Sequence, residues 1–305
     1  MGWLTRLRSS QRPLRRSADA ASCVLWTREA SSLIATVKRH AGKATSRWLL
    51  TLLLPATAVP CAGQTSGSTS VSYSVEDLLP RKTTTINGSL YRPSPSSPAP
   101  AVIVLHGCGG PIDKNYNWAR TVAGWGYVAL VPDSLGSRGL GQVCDSAGGF
   151  SPDLRVVDIV GAAKYLASQP FVRGDRLALL GLSHGGTAVL DALQKDLSTI
   201  GIKGGVAYYP NCRPSAHTGL ALPALVLIGD KDDWNSAENC RVLRSLMPKR
   251  PALLDIVYYP TAYHGFDDVT MLPGRTYFGH RVEYDRSASH DAAERTRAFL
   301  DRLLR

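Results

Sequence analysis

Acidic residues are almost missing from the start of the chain: Asp19 and Glu29 stand against ten Lys and Arg in the first fifty positions. From Gln64 onward the balance is 25 basic to 22 acidic, so most of the net charge of +11 sits in that head. A body so close to neutral lacks the electrostatic footprint of a phosphate-backbone binder, which argues against nucleic acid as a partner. Charged residues are only 19% and apolar ones 44%, which excludes both an acidic disordered chain and a coiled coil. None of the six cysteines is spaced C-x-x-C, so a zinc or dithiol redox site finds no support. Walker and G-x-G-x-x-G spacings are also missing, and nothing in the sequence calls for a metal or an organic cofactor. No internal repeat is present.

Long apolar runs are absent too. The uncharged stretch 51–63 is short and interrupted by Pro55 and Pro60, too little to span a bilayer stably. Behind a basic head, and followed by small residues near Gly63, it reads as the apolar core of a secretory signal peptide. A leader of 63 residues far exceeds the usual ~15–30. Initiation at Val37 would leave an ordinary basic lead of Val37-Lys38-Arg39-His40-Ala41-Gly42-Lys43, with residues 1–36 not translated in the cell. Ala58-Val59-Pro60 is a poor approach to a lipid-anchored Cys61, and Arg15-Arg16 lies too far upstream for a twin-arginine signal. The competing reading is a disordered tail. The expectation is an exported, periplasmic or secreted protein with a leader over 1–63, a polar linker and lead-in over 64–82, and the main domain over 83–305.

What is present from there on alternates. Asn87-Gly88, flanked by Thr83–Ile86 and Ser89–Tyr91, signals an antiparallel hairpin. Apolar, β-branched runs at 101–105, 127–131, 176–180, 205–209, 224–228 and 253–259 read as strands. Helical patterns over 117–125, 152–168, 185–195, 237–247 and 290–304 lie between or after them. Strand-helix alternation implies an α/β domain: a mostly parallel central sheet flanked by helices, behind an antiparallel N-terminal hairpin.

In such a sheet ligands bind beyond the carboxyl ends of the strands, and that is where the reactive residues fall. Gly181-Leu182-Ser183-His184-Gly185 joins a strand to a helix with the G-x-S-x-G spacing of a nucleophile elbow. A serine hydroxyl requires a base, and the base an orienting acid. His264 follows the last strand, and Asp230, Asp232 and Asp233 follow the one before it. The order Ser, Asp, His is that of the α/β-hydrolase fold. The alternatives are a Gly-rich turn with an idle serine, a structural histidine, and aspartates that merely cap or meet solvent. His106-Gly107-Cys108-Gly109-Gly110 after the first buried strand can aim backbone N–H groups at a developing oxyanion, together with the N–H of His184. A turn chosen only for tight geometry is the alternative.

From about Asn87 to Leu304 the chain resembles the dienelactone hydrolase family of α/β-hydrolases. The resemblance rests on His106-Gly107-Cys108-Gly109-Gly110, Gly181-Leu182-Ser183-His184-Gly185-Gly186, Gly229 with Asp232, and His264-Gly265-Phe266. It implies that Asp232 is the acid and that Cys108 supplies the oxyanion donor. The enzyme that names the family has a Cys nucleophile where this chain has Ser183, which moves the expected substrate from dienelactones toward carboxylic esters and lactones in general. Arg138 could grip a substrate carboxylate, and Trp234 could line the pocket; a solvated arginine and an ordinary packing tryptophan are the alternatives. Cys212 lies just past one strand and Cys240 in the helix after the next, which suits a disulfide and leaves Cys108 with Cys144. Two rival functions stay open. One is an exported binding protein with an idle triad; the other is a peptidase or acyltransferase using the same residues. Oligomeric state is not legible.

Overall fold

The computed structural model describes residues 67–78, 81–94, 97–145, 149–247 and 251–305. The leader over 1–63 lies outside them. An eight-stranded sheet of order β1-β2-β4-β3-β5-β6-β7-β8 organises the domain. Its members are β1 (Thr69–Leu78), β2 (Arg81–Tyr91), β3 (Ala99–Leu105), β4 (Val128–Pro132), β5 (Val172–Leu182), β6 (Ile202–Tyr208), β7 (Ala224–Gly229) and β8 (Leu254–Tyr259). Strands β1, β2 and β4 pair antiparallel, and every pair from β4 through β3 to β8 is parallel. The α/β class, the parallel body and the antiparallel N-terminal edge are as the alternation implies.

Helices cover both faces. Helices α2 (Val156–Ala167), α3 (His184–Leu193) and α4 (Ala237–Leu246) pack with Ala101, Ile103 and Leu105 of β3. Helices α1 (Asp113–Gly124) and α5 (Arg286–Leu304) pack with Val102 and Val104 on the opposite face. Because β3 is buried on both sides, it shows a continuous apolar run instead of alternation. Each Val, Ile or Leu in the run contributes roughly 1.5–3 kcal/mol of burial. Helix starts follow local chemistry: Ser236 Oγ accepts the Glu238 N–H at α4, and Asp285 Oδ1 accepts the Ala288 N–H at α5.

Two expectations need correcting. Asn87-Gly88 is not a turn: β2 runs straight through it, with Val71 opposite Gly88 on one side and Pro132 on the other. A Cβ at Gly88 would stand 2.9 Å from the Val131 carbonyl oxygen, so this glycine permits close approach of β4. The hairpin instead closes between Leu78 and Arg81, and its first strand occupies most of the segment read as linker. A two-stranded hairpin of β9 (Arg275–Tyr277) and β10 (His280–Val282), unforeseen in the sequence, stands beside the main sheet.

The chain leaves β4 for β5 on the far side of β3, and the sheet order reverses there. This switch point opens a crevice at the carboxyl ends of β3 and β5.

Candidate active site

Ser183 sits in that crevice, between the end of β5 and the start of α3, at φ 55° and ψ −116°. A non-glycine residue held there costs on the order of 1–3 kcal/mol and persists only where its surroundings over-determine it. Here the Ser183 N–H donates to the Tyr208 carbonyl at 3.0 Å, and its own carbonyl accepts the Thr187 N–H at 2.9 Å. Gly185 completes the turn, since a Cβ on it would lie 2.5 Å from the carbonyl oxygens of Leu105 and His106.

Beyond β8, His264 is buried and directs Nε2 at Ser183 Oγ, 2.9 Å away. Its Nδ1 lies 2.8 Å from Asp232 Oδ2. An ionised carboxylate only accepts, so Nδ1 carries the hydrogen and Nε2 is left to accept from the serine hydroxyl. The other Asp232 oxygen accepts the backbone N–H groups of Trp234 and Asn235, at 3.0 and 2.8 Å. The neighbouring aspartates are engaged elsewhere. Asp230 pairs with Arg241 at 2.5 Å, and Asp233 accepts the Arg281 N–H at 3.1 Å. Only Asp232 of the three reaches the imidazole.

The opposite flank of Ser183 is formed by Cys108 and His184. Neither backbone N–H has a protein acceptor among the described residues. The ring of His184 is fixed at both nitrogens, Nε2 donating to the Phe150 carbonyl at 3.0 Å and Nδ1 accepting from Arg155 at 3.2 Å. Burial, reinforced by the Arg155 charge, lowers its pKa to about 4. Arg155 is fully buried, and the same guanidinium nitrogen donates to the His106 carbonyl at 2.7 Å. Burial also lowers the Arg155 pKa, to about 10, which leaves it charged at neutral pH. It makes no ion pair among the described residues. His106 is neutral as well, its pKa driven well down by burial; its Nε2 accepts the Ser134 N–H at 3.2 Å. Cys108 and Cys144 stand at disulfide distance with Cα atoms 4.9 Å apart, tying this flank to the Gly-rich loop. Cys212 and Cys240 form a second such pair, Cα atoms 5.0 Å apart, neither of them lining the cavity at the serine.

A cavity of about 440 Å³ opens onto Ser183, lined among others by Cys108, Phe150, His184, Arg213 and Trp234. Trp234 therefore faces the pocket, and its ring lies 5.0 Å from that of His264. Arg138 does not. Its guanidinium is saturated by Asp77 and Asp158, at 2.5 and 2.7 Å, and by the Ser134 carbonyl. It borders a second groove of about 980 Å³ between β1 and α2, which does not include Ser183 and shares only Phe150 with the cavity at the serine. With no donor to spare, Arg138 is a half-buried structural cation and does not grip a substrate carboxylate. Among the described residues no group of three or more His, Cys, Asp or Glu is placed to share a metal ion.

Several residues at the site carried no readable signal. Arg155 lay inside a helical pattern. Tyr209, at φ 37°, packs edge-on against His264 with ring centroids 4.7 Å apart, and its hydroxyl donates to Asp267 at 2.8 Å. Asp267 also takes Lys114 and the Trp118 indole N–H, each at 2.8 Å. Position at a strand end was the one clue to Tyr209.

A strained serine at the switch point, with His and Asp following β8 and β7, defines an α/β-hydrolase. The sequence profile of the dienelactone hydrolase family matches residues 86–304, and the chain belongs to that family. It is accordingly a hydrolase of the ester and lactone class. A Bradyrhizobium protein named a probable 2-oxo-3-(5-oxofuran-2-ylidene)propanoate lactonase is 26% identical over 197 residues, 59% of this chain and 78% of that one. A putative dienelactone hydrolase from Klebsiella pneumoniae superposes with TM-score 0.63 at 20% identity, covering 77% of this chain and 99% of that structure. A dienelactone hydrolase-like promiscuous phosphotriesterase from metagenomic libraries gives TM-score 0.61 at 21% identity, covering 79% and 100%.

Proposed function

We propose that this protein is a serine hydrolase that cleaves a carboxylic ester or lactone through an acyl-enzyme on Ser183. The observation that carries the reading is the unbroken hydrogen-bonded line from Asp232 through His264 to Ser183 Oγ, with links of 2.8 and 2.9 Å. His264 Nε2 takes the hydroxyl proton as Oγ attacks the carbonyl carbon. The carbonyl π electrons move to oxygen, where the N–H groups of Cys108 and His184 receive the negative charge. Collapse expels the alkoxide, which His264 protonates. Water then repeats the sequence against the acyl-enzyme, releasing acid and free serine. Asp232 stays ionised throughout, holding the imidazole tautomer and stabilising the imidazolium. A lactone follows the same steps, with acid and alcohol leaving as one molecule; the Bradyrhizobium relative's name favours including such substrates.

Export also belongs to this reading. Two cysteine pairs at bonding distance suit an oxidising compartment, and among the described residues no helix is long and apolar enough to cross a membrane. The catalytic domain then begins near Thr69, after a leader removed around Gly63. Sequencing the amino terminus of the mature protein tests this; a terminus upstream of Val37 contradicts it.

Rapid mixing with p-nitrophenyl acetate tests the chemistry. Wild type is expected to release nitrophenol faster than background and to show an acetylated Ser183 peptide on acid quench. Ser183→Ala is expected to do neither. Retention of wild-type rate by Ser183→Ala overturns the mechanism.

A further inference from the structure

The β9–β10 hairpin turns at Phe278-Gly279, with φ of 49° and 82°. Asparagine or glycine is at home at the first of these positions; an aromatic residue there is a strained choice. Nor is the ring used to fill the core, since Phe278 is 42% exposed and the preceding Tyr277 46%. Four of the eight large exposed apolar side chains among the described residues fall between Val269 and Phe278. Lone exposed apolar residues need no explanation, but a cluster beside a reactive centre does.

The rings form a continuous surface. Trp234 stacks on His280 at 4.8 Å and lies 6.0 Å from Tyr277 and 6.2 Å from Phe278, and the last two meet edge to face at 4.6 Å. Trp234 also abuts His264, with ring centroids 5.0 Å apart. The hairpin is fastened down: β10 bridges to His264 through Val282, and Asp233 accepts the Arg281 N–H. It also reaches across to the oxyanion loop, where the Tyr277 hydroxyl lies 3.9 Å from the position of a Cβ on Gly109. An aromatic wall therefore runs from His264 to the loop that carries Cys108.

Reaction geometry says which half of the substrate meets this wall. His264 Nε2 hands its proton to the leaving oxygen, so the alcohol departs on the His264 side. Trp234, which abuts His264, lines the cavity at Ser183, and Tyr277 and Phe278 extend the wall from Trp234 beyond that cavity. We propose that Trp234, Tyr277 and Phe278 form a leaving-group subsite for the ring of an aryl-bearing alcohol. This rests on the reading of Ser183 and His264 given above. Offset-stacked and edge-to-face contacts are what such a wall offers a planar ring.

Three acetates test it: 2-phenylethyl, 2-cyclohexylethyl and methyl. The first two leaving alcohols match in size and acidity and differ in aromaticity. In wild type, kcat/KM for the phenyl ester is expected to exceed that for the cyclohexyl ester about five- to tenfold, the range of one or two ring contacts. Phe278→Asn removes the ring at a backbone angle asparagine tolerates, and is expected to bring the ratio down to about twofold or less. Phe278→Tyr is expected to keep it. Hydrolysis of all three esters with no aromatic preference, or a preference that Phe278→Asn leaves intact, overturns the subsite alone. No hydrolysis of any of the three overturns the serine-hydrolase reading and the subsite with it.

Discussion

The two flanks of Ser183 are built by opposite means. Toward the oxyanion, the supports are a buried arginine without a carboxylate partner, two neutral histidines and a cross-link to a loop. Toward the base, they are a carboxylate that accepts three hydrogen bonds and an imidazole packed against two aromatic rings, the buried Tyr209 and the half-buried Trp234. Under the mechanism proposed above, the difference follows from what each flank must do. Negative charge appears on one side and has to find donors already in place. On the other side a proton must move twice, which calls for an imidazole held in orientation beside an acceptor that remains ionised. A carboxylate paired with Arg155 would cancel the field on the oxyanion side, and among the described residues Arg155 makes no ion pair.

Substitution can break this contrast at four depths. Asp232→Asn should be the most damaging, lowering kcat about 10⁴-fold by favouring the wrong imidazole tautomer. Asp230→Asn and Asp233→Asn, one acid paired at the surface and the other on the hairpin, should stay within about threefold. Steady-state kinetics on one ester checks all three.

Arg155→Met comes next. It removes the donor shared by the His106 carbonyl and the His184 ring, so both oxyanion N–H groups lose their support. The expectation is a fall in kcat of about 10²-fold with little change in KM, the pattern of an interaction made in the transition state. Tighter KM together with reduced kcat would point to ground-state strain instead.

The cross-links make a third, smaller comparison. Replacing Cys108 and Cys144 together by serine should lower kcat less than tenfold and also lower the thermal midpoint. The same change at Cys212 and Cys240 should lower the midpoint and leave kcat alone. Each loss of stability should be about 2–4 kcal/mol. Equal effects on kcat would mean that the first cross-link does nothing particular for the oxyanion loop.

The smallest effect is on pH dependence. His184 folds with a pKa of about 4, below the ordinary histidine value, because burial and Arg155 disfavour its charge. On acidification the unfolded chain takes up this proton first. The stability contribution is complete above about pH 6.5 and is lost as pH falls toward 4, up to about 3 kcal/mol. His106 acts in the same direction. The denaturation midpoint should drop between pH 7 and 5, and the drop should be shallower in Arg155→Met.

Legibility in the sequence divides unevenly between the flanks. Ser183, His264 and the glycines around them announce themselves because an elbow and a strand-end histidine are local patterns. The α/β class was legible for the same reason: alternation is written in each short run. Choosing Asp232 over Asp230 and Asp233 took a resemblance, since all three follow one strand within four residues. Arg138, singled out in the sequence, is taken up by structural partners, and Arg155, which nothing in the sequence singles out, stands beside the serine. Their roles depend on Asp77, Asp158, His106 and His184, which only folding brings near. Gly88 shows the same limit, because a glycine that admits a neighbouring strand is spelled like one that makes a turn. Strands β9 and β10 are three residues each, too short for periodicity to register.

The central claim is that Ser183 is an activated nucleophile. Intact-mass measurement of the folded mature protein after exposure to a fluorophosphonate probe, followed by peptide mapping, tests it most directly. The account predicts a single adduct, on the peptide carrying Ser183, and none after Ser183→Ala. Folded protein that stays unmodified, or an adduct on another residue, would contradict it.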